Sequence, residues 1–243
     1  GAVQNLNADI VKSIKIPLPP LEVQAEIVKI LDNFTELTAE LTAELTARKK
    51  QYEYYRDELL TFGDDVEWKN IEDVANCSRG KRVIRKDLTQ VGLFAVYQNC
   101  LTPMGYYNQS NRKANITYII TAGAAGEISF CNKEFWAADD CLTIESNGNI
   151  IDKYIYYFLM SKQDHIKTRV RKASIPRLDR KVIENIKIPV PPLEEQERIV
   201  QILDRFDKLC NDISEGLPAE IEARKKQYEY YRDKLLTFIE KKD

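Results

Sequence analysis

The chain has 243 residues, 44% of them apolar and 30% charged, with a net charge of −2. That length predicts one or two domains with ample material for a core, and no apolar run approaches the ~20 residues of a membrane span. The charge is uneven: residues 63–181 carry +4, while residues 1–62 and 182–243 carry −3 each. Five cysteines with no C-x-x-C pair point to a reducing cytoplasm and away from disulfides or structural zinc. A lone histidine, His165, excludes every two-histidine mechanism and reads as a surface or packing residue. Gly1 in place of methionine points to a processed or excised chain.

An internal repeat sets the organisation. Ile14–Leu31 matches Ile186–Leu203 at thirteen of eighteen positions. Ala47–Phe62 matches Ala223–Phe238 at fifteen of sixteen. The offset grows from 172 to 176 between these blocks, and the match reaches back to Gly1–Leu6 against Ala173–Leu178. The chain therefore reads as two arms around one unique middle.

In the first arm, Pro19-Pro20-Leu21-Glu22 signals a helix start and Gly63 a stop. Ile27, Leu31, Phe34, Thr38, Leu41, Leu45, Arg48, Tyr52, Tyr55, Leu59 and Phe62 step by four and three. This heptad seam predicts a rod of roughly 60 Å that needs a partner helix. A tandem Thr-Ala-Glu-Leu tetrapeptide spans Thr38–Leu45. It consists of good helix formers, and adding or losing one unit would lengthen a spacer without breaking the helix.

The middle section carries short strand signals at Val83-Ile84, Leu93–Tyr97, Ile116–Ile120, Ile128–Cys131 and Cys141–Ile144. Turns are expected at Gly105, Gly123, Gly126 and Gly148. Tyr154–Ser161 predicts a buried helix continuing towards Arg169, and Asp179-Arg180-Lys181 the start of a short one. The cysteines read as core residues.

Three cationic groups fall here: Arg79, Lys81, Arg82, Arg85 and Lys86; Tyr107, Asn108, Asn111, Arg112 and Lys113; and Arg169, Arg171, Lys172 and Arg177. Arg and Lys suit phosphates and guanine edges, and Asn can pair with adenine. A basic cluster alone is commonly a solvated surface. Three of them with amides interleaved, in the only basic section, point to nucleic acid. Catalytic patterns are weak: Asp139-Asp140 lack a nearby base, and Gly123-x-x-Gly126 lacks the Lys-Ser/Thr of a phosphate loop.

The second arm starts at Pro191-Pro192-Leu193-Glu194 and its seam runs Ile199, Leu203, Phe206, Cys210, Ile213, Leu217, Ile221, Arg224, Tyr228, Tyr231, Leu235, Phe238. Two steps of four fall together at 213–217–221, where Gly216 and Pro218 predict a kink or a broken turn. Internal antiparallel pairing of the arms is the simpler packing, because one chain supplies both seams at high effective concentration. Pairing of each arm with another molecule is the alternative. Tyr54, Arg56, Tyr230 and Arg232 sit in the repeated Arg-Lys-Lys-Gln-Tyr-Glu-Tyr-Tyr-Arg-Asp face, and the tyrosines fall off the seam, as partner contacts would.

These residues match a family. Ser174-Ile175-Pro176-Arg177-Leu178 leading into Ile188–Gln196, a helix with Ala223–Tyr228, the tandem Thr-Ala-Glu-Leu units, and Phe135–Cys141 together resemble the specificity (S) subunit of type I restriction–modification enzymes. The resemblance implies an α+β fold: a small, mixed β-rich target-recognition domain on a long antiparallel two-helix coiled coil. It implies a half or truncated form, with a remnant of a preceding recognition domain at 1–16 and a central helix at 17–62. The recognition domain would span 63–188 and the distal helix 189–243. The chain would be non-catalytic, reading one half-site of a bipartite duplex DNA target and docking modification (M) subunits and, through the complex, the restriction (R) subunit. S-adenosylmethionine, ATP and Mg²⁺ would belong to those partners, and two half subunits could form a homodimer. A coiled-coil scaffold without sequence selection and a nuclease or methyltransferase fragment are the other classes the residues leave open.

Overall fold

The computed structural model describes residues 8–238. In chain order the helices and strands are α1 (Ala8–Lys12), α2 (Leu21–Leu59), β1 (Trp68–Asn70), α3 (Ile71–Val74), β2 (Ala75–Arg79), a 3₁₀ turn (Arg85–Asp87), β3 (Phe94–Tyr97) and β4 (Gly105–Tyr107). Then follow β5 (Ile116–Ile120), β6 (Ile128–Cys131), β7 (Phe135–Ala137), β8 (Cys141–Ser146), α4 (Asp152–Ser161), α5 (Gln163–Thr168), α6 (Arg180–Glu184), β9 (Lys187–Pro189), α7 (Leu193–Asn211) and α8 (Leu217–Leu236). Among the described residues no helix is long and apolar enough to cross a membrane. The α+β class and the paired long helices expected from the sequence are both present. The stretch Gly1–Leu6, matched to Ala173–Leu178, lies outside the described residues.

The chain divides into two compact units, and the divisions fall inside long helices, at 49/50 and 207/208. Residues 50–59 of α2 and 193–207 of α7 fall in the unit that holds the sheets.

The first unit comprises the described parts of residues 1–49 and 208–243. The seam dictates its burial: Ile27 is buried, and Leu31, Phe34, Thr38, Leu41, Leu45 and Arg48 are half-buried between exposed neighbours. Phe34 stacks on Tyr231 at 5.4 Å. Helix α2 runs unbroken through both tetrapeptides. The hydroxyls of Thr35, Thr38, Thr42 and Thr46 donate back to the carbonyls of Leu31, Phe34, Thr38 and Thr42 at 2.7–3.0 Å, so this face presents methyl groups. The expected break in the second arm is present. α7 ends at Asn211, the Asp212 carboxylate accepts from the Ser214 and Glu215 amides, and Pro218 opens α8. Gly216 allows it, since a Cβ there would sit 2.6 Å from the Lys208 carbonyl oxygen and 2.7 Å from that of Asp212. Ile213, a seam position, is thrown out to solvent.

The second unit, residues 50–207, holds three sheets. One is antiparallel, in the order β2-β8-β5-β6; one is β4-β3-β7, with β3 and β7 parallel; and β1 pairs with β9. Tyr97, Tyr118 and Phe135 form an aromatic core with centroids 4.9–5.7 Å apart. α4 seals β5 and β6 with Tyr154, Ile155, Tyr157, Phe158 and Leu159, all fully buried. Ile199 and Leu203 are buried, and Phe206 meets Tyr52 and Tyr55 at 6.3 and 5.7 Å.

Four expectations are corrected. Val83-Ile84 is not a strand: Gly80 turns the chain, the Lys81 amide donates to the Ala137 carbonyl, and a 3₁₀ turn follows. α2 ends at Leu59, before Gly63, because Leu60 turns into the core. The helix from Tyr154 breaks at Lys162 into α4 and α5. Cys77, Cys141 and Cys210 are buried, but Cys100 and Cys131 are only half-buried. The four expected turn glycines, 105, 123, 126 and 148, all have positive φ.

Candidate nucleic-acid interface

The three cationic groups come from separate segments, and the fold of the second unit joins them. Arg79 ends β2, the edge strand of its sheet. The Tyr107 ring on β4 packs against Trp136 at 5.0 Å, and the Trp136 indole N–H donates to the Lys81 carbonyl at 2.8 Å. The first and second groups thus meet across Trp136. Arg79 also lines a depression of 360 Å³ with Thr121, Leu142, Arg171, Arg177, Leu178 and Arg180, which brings in the third. Four arginines and no acid line it.

The individual side chains differ in availability. Arg82, Arg85 and Lys86 are exposed on the Lys81–Asp87 loop, and Asn108 is exposed after β4. Lys113 is exposed beside Glu145, 3.6 Å away. Arg171, Lys172 and Arg177 are exposed as well. Arg79 Nε donates to the Asp139 carbonyl.

Asn111 and Arg112 have internal work, which departs from their expected place in a contact surface. The Asn111 amide brackets Ala137, donating to its carbonyl at 2.9 Å and accepting from its N–H at 2.8 Å. The Arg112 guanidinium donates to Thr143 Oγ1, the Asn111 carbonyl and the Arg79 carbonyl at 2.6–3.0 Å. Both tie β7 and β8 to the loops that carry the exposed cations.

A second basin of 570 Å³ is lined by Lys162, His165, Arg169, Asp179, Lys181, Asn185 and Lys187. Only Arg169 belongs to the expected set. The sequence signal for the rest is slight: isolated cations around the Asp179 N-cap of α6, two residues beyond Arg177.

Beneath this surface, Glu184 is almost fully buried, and Arg180 and Lys181 both pair with it. Burial pushes its carboxyl up, but the two cations outweigh that and hold it below the usual carboxylate range. A depressed carboxyl stabilises the fold above its unfolded value of 4.5 and loses that contribution as pH falls through the folded value. Thermal melts of wild type and Glu184→Gln are therefore expected to differ at pH 6–7 and converge as pH drops below about 4.5. A constant gap across that range would contradict this.

Neither Cys77 nor Cys141 is prepared as a nucleophile. Burial pushes the Cys77 thiol to about 11, with Glu184 adding to it, and the Cys141 thiol to about 12. Among the described residues no cluster of His, Cys, Asp and Glu could hold a metal ion.

The repeated faces keep the same local geometry in each copy. Tyr54 meets Tyr55 edge-on at 5.4 Å, and Tyr230 meets Tyr231 at 5.3 Å. Arg56 lies over Tyr52 and bonds Asp57; Arg232 lies over Tyr228 and bonds Asp233. Tyr54 and Tyr230 are 65% and 60% exposed, so most of each ring stays open to solvent.

Comparison with known proteins fits these features. The family described as type I restriction modification DNA specificity domain matches residues 1–48 and 63–223. The chain is 38% identical over 262 residues to the Type I restriction enzyme EcoR124I/EcoR124II specificity subunit of Escherichia coli, covering 93% of this chain and 63% of that one. It is 35% identical to a Mycoplasma pneumoniae protein named as a type I specificity subunit, covering 94% of this chain and 98% of the other. The crystal structure of a type I restriction-modification system S subunit from M. genitalium shares the fold, with a TM-score of 0.72 at 19% identity, over 97% of this chain and 67% of that one. The chain thus spans under two thirds of the Escherichia coli subunit and nearly all of the Mycoplasma pneumoniae protein.

Proposed function

Because the chain belongs to the type I restriction–modification DNA specificity family, we propose that it is a non-catalytic reader of duplex DNA that recognises one half-site and docks modification subunits. The observation that carries this is the joining of three separated cationic groups on one body: Arg79 with Arg171 and Arg177, and Lys81 with Tyr107 through Trp136. Exposed cations from several loops suit phosphates on either side of a groove, and the exposed Asn108 amide suits a base edge. Methyl transfer with S-adenosylmethionine and ATP- and Mg²⁺-dependent cleavage fall to the M and R subunits in this reading. The exposed Tyr54 and Tyr230 faces, alike in local geometry, suit two copies of one modification subunit.

The repeat supports a second seat for a recognition domain. In the complete copy, Ile188 lies in β9, paired with Lys69 of β1, and is fully buried, and Gln196 donates to the Pro191 carbonyl while accepting from the Ile151 amide. In the first copy, Gln24 keeps the matching bond to the Pro19 carbonyl at 2.7 Å, yet Ile16 and Leu18 are 71% and 81% exposed. This strip fits a second recognition domain of the same build, which a homodimer would supply. The tetrapeptides in α2 would then set the gap between half-sites.

Selection from random duplex DNA, using the chain reconstituted with its modification subunit, tests the reading. Two short enriched elements at fixed spacing are expected. Binding without any enriched sequence would leave only the scaffold reading, and turnover by the chain alone would make it an enzyme.

A further inference from the structure

The segment Arg171–Arg177 is closed into a short hairpin by two backbone bonds: the Arg171 amide to the Arg177 carbonyl at 2.8 Å, and the Arg177 amide to the Arg171 carbonyl at 3.2 Å. Its stem is fixed to the end of β5. The Leu178 amide donates to the Thr121 carbonyl at 2.8 Å and the Gly123 amide to the Pro176 carbonyl at 3.1 Å. Gly123 is needed for that junction, since its φ is +85° and a Cβ would lie 2.8 Å from the Asn99 carbonyl oxygen. The result is an anchored hairpin with five residues between its ends, Lys172-Ala173-Ser174-Ile175-Pro176.

Residues of this hairpin and beside its base line both basins. Arg171, Arg177 and Arg180 line the depression shared with Arg79, while Arg169, Asp179 and Lys181 line the basin shared with Lys162, His165 and Lys187. Arg169 lines one basin and Arg171 the other, so the cations beside the hairpin divide between two depressions. An element entering a DNA groove has a phosphate backbone on each side, and cations on both flanks match that demand. The major groove admits a two-stranded ribbon.

The tip carries one large exposed apolar side chain. Ile175 is 54% exposed, with Ala173 and Pro176 around it. Its counterpart in the first copy of the repeat, Val3, is also β-branched and apolar. An exposed aliphatic tip between cationic flanks has one complementary feature in the major groove, the C5 methyl of thymine. Building on the DNA-reading proposal, we infer that Arg171–Arg177 is a groove-entering finger and that Ile175 determines specificity by packing on a thymine methyl.

The test uses the complex reconstituted with the modification subunit and a duplex recovered from a random pool. Each thymine is replaced in turn by deoxyuridine, which removes only the methyl. Wild type is expected to lose about fourfold in affinity at one thymine, the worth of one buried methyl. Ile175→Ala should bind the parent duplex about fourfold more weakly and be indifferent to that same replacement, while Ile175→Val retains part of the response. Ile175 is exposed, so its melting temperature should not move. Equal sensitivity of wild type and Ile175→Ala at every thymine, or a selected target with no methyl-sensitive thymine, overturns the finger. Failure to enrich any sequence instead overturns the DNA-reading proposal on which the finger rests.

Discussion

Replacement of Gly80 by alanine is expected to cost about 3 kcal/mol, at the upper end of overpacking effects. The added Cβ would fall 2.1 Å from the Ala138 carbonyl oxygen and 2.3 Å from that of Ala137. Both are backbone atoms of the strand end that receives the Lys81 amide, so no side-chain rotation relieves the clash. Separating the two segments would break the Gly80 amide bond to the Cys141 carbonyl and the Lys81 amide bond to Ala137, both 2.9 Å. The Trp136 bond to Lys81 would follow. For a unit of this size the loss corresponds to roughly 6–12 °C in melting temperature. Calorimetry on the full chain checks it, and a shift under 2 °C would show that β2 and β7 can part freely. Lys81 and Arg82 are immediate neighbours, so DNA affinity should fall with stability in this variant. Gly80 sits among cations in the sequence, yet it is where the chain leaving β2 passes hard against the backbone at the end of β7.

That contrast shows what could be read from the chain. The long helices were legible because a 3–4 repeat over forty residues has one physical explanation, and the burial of Ile27, Phe34 and Tyr52 between exposed neighbours follows it. The break at 212–216 was legible because Gly216, Pro218 and a doubled step of four coincide. The short strands were not. β1 and β9 carry Trp-Lys-Asn and Lys-Ile-Pro, with no alternation to speak of, and each is a strand only because the other lies beside it. The same holds for the interface. A run of cations marks a basic segment, but whether an arginine faces solvent or its own domain depends on acceptors elsewhere in the chain. Arg112 finds Thr143 and the Arg79 carbonyl, and no local pattern announces either.

This division among the cations has a direct consequence for binding. Arg171 and Arg177 share an acid-free depression and are exposed. Arg112 is a structural tie with its guanidinium already engaged. The double variant Arg171→Gln/Arg177→Gln is therefore expected to weaken DNA binding roughly 100-fold at fixed salt, about tenfold per contact. If both contact phosphates, the slope of log affinity against log salt should fall by about 1.8. Its melting temperature should stay near wild type. Arg112→Gln should behave in the opposite way. Three donors are lost, one of them bonded to the buried Thr143 hydroxyl, which costs about 2 kcal/mol of stability, while the salt slope is unchanged well below the melting transition. Arg112→Lys should rescue little, since an ammonium cannot reproduce a planar fork that reaches three acceptors. Titrations of each variant with the selected duplex between 50 and 300 mM salt, paired with thermal melts, separate the two roles. A reduced slope for Arg112→Gln would place its charge on the DNA. An unchanged slope for the double variant would exclude phosphates as the partners of Arg171 and Arg177 and leave base edges as the remaining contacts for a reader of this kind.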